Sequence, residues 1–283
     1  MEKIKPMLAR DGGEVKNDPN LLFESKYDGA RALAFVNGSS VRLQARSGSD
    51  KTATFPELEF QTKLPAILDG EIVSASGLSF QDGIQTRVNT QRDVSLRAKA
   101  FPARMMVFDV LEIDGKSVES MPLLARKDLL TQILVPTSNV ELAPWTDDGE
   151  TLFATAKAQQ LEGIVGKHKL GKYLRDRREW IKFKCWQLGT FMAVGYTAGT
   201  GWRTSTFGAL VLSDAKGNYA GEVGTGFNDE TISDLTRMFS PGVCPFRHEP
   251  EPATWIKPFA IRVRYLEFTN DRVLRFPSFK GVV

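Results

Sequence analysis

The chain has 283 residues, 42% hydrophobic and 25% charged, with 37 Lys or Arg against 34 Asp or Glu for a net charge of +3. No apolar run approaches the roughly 20 residues that cross a bilayer, and Met1–Pro6 lacks the apolar core of a secretory leader. Two histidines, and two cysteines (Cys185 and Cys244) at no metal-ligand spacing, argue against a histidine-held metal or a Ser-His-Asp triad and fit the reduced thiols of a cytoplasmic protein.

The length suits two domains, and the elements divide accordingly. Leu22 to Ser25 and Arg31 to Val36 read as strands around a turn at Asp28-Gly29, and Val41 to Arg46 as a third. Phe55 to Lys63 suits a helix capped by Thr54. Ala66 to Ser74 and the apolar run Arg104 to Ile113 are strands. Leu124 to Leu134 and Asp148 to Gln160 read as helices, and Gly163 to Gly166 and Trp180 to Lys184 as strands. After a short hinge near residues 184–189, strands at Phe191 to Tyr196, Phe207 to Leu212, Tyr219 to Val223 and Ile261 to Phe268 surround one helix. That helix is capped by Asn228 or Asp229 and runs through Phe239. Short strands plus one helix in about a hundred residues fit a small Greek-key barrel of the OB type. The expected domains are 1–186 and 187–283, the class α+β.

The chemistry concentrates in an ordered series: Glu24-Ser25-Lys26-Tyr27-Asp28-Gly29, Arg46-Ser47-Gly48, Asp69-Gly70-Glu71, Phe108-Asp109, Glu162-Gly163 and Lys182-Phe183-Lys184. Lys26 is the candidate nucleophile, because burial beside other cations frees an amine to attack. Lys182 and Lys184 alternate with Ile181 and Phe183, so both ammonium groups face one side of a strand and can meet one phosphate. The plainer alternatives are a surface lysine in a hairpin and an edge strand protected by lysines. Glu24 shares the strand face of Lys26 and can accept from an amino group of a base. Asp28 is near enough to orient the amine or to hold a metal-bound water. Arg31 and Arg46 offer forked donors to phosphate or ribose, or are simply exposed strand arginines. Glu162, beside apolar neighbours, suits Mg²⁺ or Mn²⁺, with Asp109 a second candidate.

From Lys167 to Lys184 there are eight Lys or Arg and two acids, a local +6 that leaves −3 for the rest of the chain. That is the footprint of a polyanion partner, although charge runs are also ordinary solvated faces. Lys167, Lys169, Arg175, Arg177 and Arg178, with Arg203 further on, are the candidate nucleic-acid contacts.

The ordered series resembles the ATP-dependent polynucleotide ligases of the covalent nucleotidyltransferase superfamily. Pro6-Met7-Leu8-Ala9, Gly221 to Phe227 and Arg275-Phe276-Pro277-Ser278-Phe279-Lys280-Gly281 look most like the ligase module of bacterial and archaeal end-joining ligases (the LigD and LigC type). The resemblance implies an ATP-grasp-like adenylation domain of antiparallel sheets with helices, then an OB domain. It implies ATP with AMP carried on Lys26, and Glu71 on the ribose and as a second metal ligand. Phe108 would stack on adenine rather than serve only as core, and Arg275 and Lys280 would orient pyrophosphate. It further implies a nucleoid-associated monomer acting on nicked duplex DNA, with a Ku-like or polymerase partner. An RNA ligase or capping-type enzyme is the alternative. The family spacer between Tyr173 and Trp180 is shortened, with Arg177 the first choice for its arginine and Arg175 and Arg178 competing. The chain is expected to begin at the ligase core, without polymerase or nuclease modules. Its Val282-Val283 end stands where relatives often carry another arginine.

Overall fold

The computed structural model describes residues 3–90, 92–250 and 252–283; Met1 and Glu2, the start of the segment read for a leader, lie outside them. The chain divides into two units, Met1–Cys185 and Trp186–Val283.

The first unit is built on two main sheets. One orders its strands Val140–Leu142, Ala103–Ile113, Ala66–Ser74, Ala30–Asn37, Ser40–Ala45, with Lys116–Ser117 also on Ala103–Ile113. The other orders Leu8–Asp11, Arg178–Lys184, Gly163–His168, Leu21–Ser25, Trp145–Thr146. Most pairs are antiparallel, as expected. Two are not: Leu8–Asp11 runs parallel to Arg178–Lys184, and Val140–Leu142 parallel to Ala103–Ile113. Neither pair is joined by a hairpin, and a long return through other elements permits parallel pairing.

Alternation along the central strands fills two cores. Met105, Val107 and Val110 face one, with Phe55, Leu68 and Leu130. Met106, Phe108 and Leu111 face the other, with Leu33, Tyr173 and Trp180. The change of phase between Phe108 and Val110 coincides with a register shift at Asp69/Gly70 opposite Asp109. Arg126, from the helix Leu123–Ile133, grips both oxygens of buried Asp109 at 2.8 and 2.9 Å. Asp109 is therefore a structural anchor, not the second metal candidate.

The helix expected over Phe55 to Lys63 does not form. Thr52–Thr54 is a single 3₁₀ turn, and Gln61–Thr62 is a short strand. Phe55, Leu58 and Phe60 are all buried, but from irregular backbone. Asn139 replaces the helical hydrogen bonds: its amide donates to the Glu57 carbonyl, and its oxygen accepts from the Glu59 N–H at 3.1 Å.

In the second unit five antiparallel strands follow the order Tyr219–Val223, Phe207–Ser213, Gln187–Ala198, Thr254–Tyr265, Ser278–Val282. The strand expected at Ile261 to Phe268 starts earlier, at Thr254, and ends at Tyr265. Bonds from Leu274 N–H to the Ala220 carbonyl (3.0 Å) and from Phe279 N–H to the Thr225 carbonyl (2.9 Å) tie the last edge back to the first. The helix Asp229–Met238 buries Ile232 and Leu235, and Asn228 caps it by accepting from Thr231 N–H at 2.8 Å.

Candidate active site

One pocket of the first unit gathers most of the ordered series. Glu24, Lys26, Arg31, Arg46, Glu71, Phe108, Lys182 and Lys184 all line it, with Lys167, Arg178 and Trp180. The strand Arg178–Lys184 supplies one wall. Its alternate residues Arg178, Trp180, Lys182 and Lys184 face the pocket, while Ile181 and Phe183 pack into apolar core behind. The two-residue period thus delivers a row of four functional side chains, spaced by about 6.8 Å.

Lys26 follows directly on the strand Leu21–Ser25, and its backbone N–H donates to the Gly163 carbonyl at 2.9 Å. Gly163 permits that approach: its φ is 146°, and an added Cβ would sit 2.0 Å from the Phe183 carbonyl oxygen. The Lys26 ammonium forms an ion pair with one oxygen of Glu162, and Lys184 lies 3.9 Å from the other. Lys182 approaches Asp11 at 3.4 Å. Burial, and then the neighbouring Lys26 and Lys182 charges, hold the Lys184 ammonium below its usual range against the pull of Glu162.

Below the lysine lies a polar network. Arg31 donates through Nη2 to Asp69 at 2.6 Å and stacks 4.5 Å from the Phe108 ring centre and 5.0 Å from that of Trp180. Tyr173 donates to the same Asp69 at 2.6 Å and accepts from Met7 N–H at 3.0 Å. Tyr173→Phe leaves a buried N–H and a carboxylate oxygen short of a partner. It should cost about 1–3 kcal/mol of stability, read by urea denaturation.

Glu24 is 2% exposed, and both its oxygens are taken. Lys127, from the helix Leu123–Ile133, meets one; Lys167 meets the other at 2.7 Å. The two lysines hold the Glu24 carboxyl below its ordinary range even though burial alone would raise it. Lys167 also lies 4.1 Å from the Phe108 ring centre and 4.2 Å from that of Trp180. Phe108 is accordingly both core and pocket wall.

Glu71 is the group under most electrostatic stress. Burial, with the charges of Glu162 and Asp69, pushes its carboxyl up to about 7 against the opposing pull of Arg31 and Lys26. Two hard oxygen donors, Glu71 and Glu162, would suit Mg²⁺, which keeps waters and takes its other ligands from phosphates. Among the described residues no three acidic, His or Cys side chains cluster for a metal, so the protein would contribute these two. A bound Mg²⁺ would supply charge neutralisation to the triphosphate. Glu71→Gln tests the stress. The unfolded carboxyl titrates near 4.5 and the folded one near 7, so the folded state binds more protons between those values and stability falls as pH rises through them. Glu71→Gln should therefore gain up to about 3 kcal/mol at pH 8 and nothing below pH 4, measured by denaturation at both.

Several expected residues stand elsewhere. Asp28 accepts from Phe80 N–H at 3.1 Å and is not among the pocket-lining residues. Lys167 is buried against Glu24 in the pocket wall rather than exposed to solvent. Lys169 is tied to the Pro19 carbonyl (2.9 Å) and Asp147 (3.0 Å). Arg175 grips Glu119 through Nε and Nη2. Arg177 is exposed and outside the pocket; Arg178, two residues before Trp180 on the same face, is the arginine of this segment that lines it. In the second unit Arg203 donates to the Gly208 and Gly224 carbonyls at 3.4 and 3.2 Å. Arg275 meets Glu267 at 2.6 Å, and Lys280 is exposed. The sequence reading missed Lys127, Asp69, Tyr173 and Trp180 as site residues. Trp180 carried a local signal in its place in phase with Lys182 and Lys184, and Asp69 lay within the Asp69-Gly70-Glu71 motif, but nothing local marked Lys127.

A lysine set among cations, two carboxylates and an aromatic wall, in a unit followed by an OB barrel, defines a covalent nucleotidyltransferase architecture. The chain belongs to the ATP-dependent DNA ligase family: residues 6–184 match the ATP dependent DNA ligase domain and residues 203–282 the ATP dependent DNA ligase C terminal region. It is 31% identical over 305 residues to the multifunctional non-homologous end joining DNA repair protein LigD of Mycobacterium tuberculosis H37Rv, covering 99% of this chain and 38% of that protein. The chain thus spans well under half the length of the mycobacterial relatives it matches. A solved mycobacterial DNA ligase D, complexed with ATP and MES, aligns with TM-score 0.56 and 27% identity over 99% of this chain and 95% of that one. A Lig E DNA ligase aligns with TM-score 0.71 at 20% identity, over 98% of each chain, and supports the fold. These matches are to DNA ligases and do not favour the RNA ligase or capping alternative.

Proposed function

We propose that this protein is an ATP-dependent DNA ligase that seals a 5′-phosphate to a 3′-hydroxyl at a nick. The observation that carries the reading is the convergence of Lys26, Lys182, Lys184 and Glu71 on one pocket, with Glu162 ion-paired to Lys26 and 3.9 Å from Lys184. In the first step the Lys26 amine attacks the α-phosphorus of ATP. A P–N bond forms, the bond from the α-phosphorus to the bridging oxygen breaks, and pyrophosphate leaves with its electron pair. The AMP then passes to the nick 5′-phosphate, restoring the amine. Finally the 3′-hydroxyl attacks that phosphorus and AMP departs. Each is an in-line transfer in which positioning and cations do most of the work.

In this reading Lys182 and Lys184 neutralise the phosphates, Arg178 and Arg46 hold the rim, and Glu24 accepts from the adenine amino group. Glu71 and Glu162 would hold Mg²⁺. A Ku-like end-binding partner is part of the proposal, supported by the end-joining names of the mycobacterial relatives.

The test is intact mass after incubation with ATP and Mg²⁺, followed by sealing of a nicked duplex. A gain of one AMP by the wild type, none by Lys26→Ala, and a sealed strand would support the proposal. AMP-free wild-type protein that gains nothing would overturn it.

A further inference from the structure

The helix Leu123–Ile133 buries a charge that its docking does not require. Leu123, Leu130 and Ile133 are its buried apolar residues, and Arg126 ties it to Asp109 and to the Met121 and Gly171 carbonyls. The next residue, Lys127, exposes only 7% of its side chain, and its ammonium meets Glu24. A buried ion pair gives up hydration that an apolar pair of similar volume never had, so it is a poor device for stability alone. Lys127 does not line the pocket, whereas Glu24 and Lys167 do. Its route to the pocket is the Glu24 carboxylate.

The pocket lining has two chemistries. Lys26, Lys182, Lys184 and Arg46 suit a triphosphate; Phe108, Trp180 and Val165 suit a base. Glu24 belongs with the second set. Val165 stands opposite it in the strand register, and Lys167, bonded to it at 2.7 Å, lies against the Phe108 and Trp180 rings. The last side-chain torsion of a glutamate is broad and roughly two-fold, so a bond from Lys167 alone would let the carboxylate turn. The bond from Lys127 to the other oxygen fixes it from a second element. Each oxygen offers about two lone-pair sites, so one on each stays open to the pocket. Burial would raise the Glu24 carboxyl, but the charge of Lys127 and then that of Lys167 hold it below its ordinary range. An ionised carboxylate only accepts. It takes a hydrogen bond from a 6-amino group and sets acceptor against acceptor when a 6-oxo group stands in the same place.

We propose that Lys127 is a specificity-determining positioning residue: from behind the pocket wall it pins the Glu24 carboxylate so that the site takes the 6-amino purine of ATP and rejects the 6-oxo purine of GTP. This rests on the ligase reading above and deepens it by naming what sets the choice of nucleotide.

The experiment uses the full chain freed of AMP, as wild type, Lys127→Met, Lys127→Gln and Lys127→Arg. Intact mass follows covalent uptake of AMP from ATP and of GMP from GTP, each with Mg²⁺ over a concentration series, and urea denaturation follows stability. Lys127→Met should raise the KM for ATP about tenfold with the maximal rate nearly unchanged, because the lost contact is to the base and not to the reacting phosphorus. The preference for ATP over GTP, as a ratio of kcat/KM values, should fall by about tenfold or more, since a freed carboxyl can turn, take up a proton and donate to the 6-oxo group. Lys127→Arg keeps the charge and should restore most of both. Lys127→Gln keeps a donor at less burial cost and should fall between them; it gives the same reading where the methionine variant does not fold. A merely structural lysine would lower stability and both uptakes together without moving the ratio. An unchanged ratio in every folded variant, or a wild type that takes up AMP and GMP alike, would overturn the proposal and leave the ligase reading standing. A wild type that takes up neither would overturn both.

Discussion

Lys26→Arg is expected to abolish AMP uptake while leaving the fold and the ion pair with Glu162 in place. A guanidinium keeps the positive charge that Glu162 meets at Lys26, and the Lys26 side chain is 21% exposed, so the extra length has room. What the variant loses is the proposed nucleophile. An arginine stays protonated at any pH the protein tolerates, and its lone pairs are delocalised. No P–N bond forms, and the rate of adenylation should fall on the order of 10⁴-fold or more. Intact mass with ATP and Mg²⁺ measures the uptake, and circular dichroism checks the fold. The contrast is sharper than with alanine, which also removes the charge. AMP uptake near the wild-type rate would move the nucleophile to Lys182 or Lys184, which line the same pocket.

Much of this site was legible because its parts lie in short strands, where a period of two decides which side chains meet. Lys182 and Lys184 share a face for that reason, and the same rule brings in Trp180 and Arg178. The ordered motifs located Lys26, Glu71 and Glu162 for a different reason: Glu71 and Glu162 stand beside Gly70 and Gly163, and Lys26 three residues before Gly29, glycines where backbone comes close to backbone, as Gly163 does to the Phe183 carbonyl. What could not be read is what long-range pairing decides. Lys127 meets Glu24 across 103 positions and Tyr173 meets Asp69 across 104. On the helix Leu123–Ile133 nothing distinguishes Lys127 from a solvent-facing lysine until the helix is docked. The segment around Phe55 failed for the same reason. Its apolar residues suggested a helix, but a side chain some 80 positions away, Asn139, supplies the hydrogen bonds that hold it irregular. Basic residues between Lys167 and Lys184 read alike in sequence. Burial separates Lys167 from Arg177, and pairing separates Arg175 from Arg178.

Glu24→Met is expected to destabilise the first unit by about 3–5 kcal/mol, because it leaves two buried ammonium groups without their shared counter-charge. Lys127 and Lys167 expose only 7% and 3% of their side chains, so water cannot take over from the carboxylate. Burial already lowers the Lys167 ammonium to about 8, with Lys127 pushing in the same direction and Glu24 opposing. Removing Glu24 drives Lys167 further toward the neutral amine, and the protein sheds a proton rather than bear the full cost of the charge. The loss should therefore be larger at pH 6, where protonation is forced, than at pH 9, and denaturation at the two values measures the difference. Replacing all three residues with methionine removes the charges together, and a well-packed apolar substitute of similar volume should regain most of the stability. AMP uptake should stay low in the triple variant, since the adenine amino group has lost its acceptor in the proposed mechanism. That pairing of results, stability recovered and uptake not, is what assigns the triad to base recognition rather than to folding. A single Glu24→Met variant as stable as the wild type at both pH values would show that the two lysines find other partners, and the triad would then have no such role.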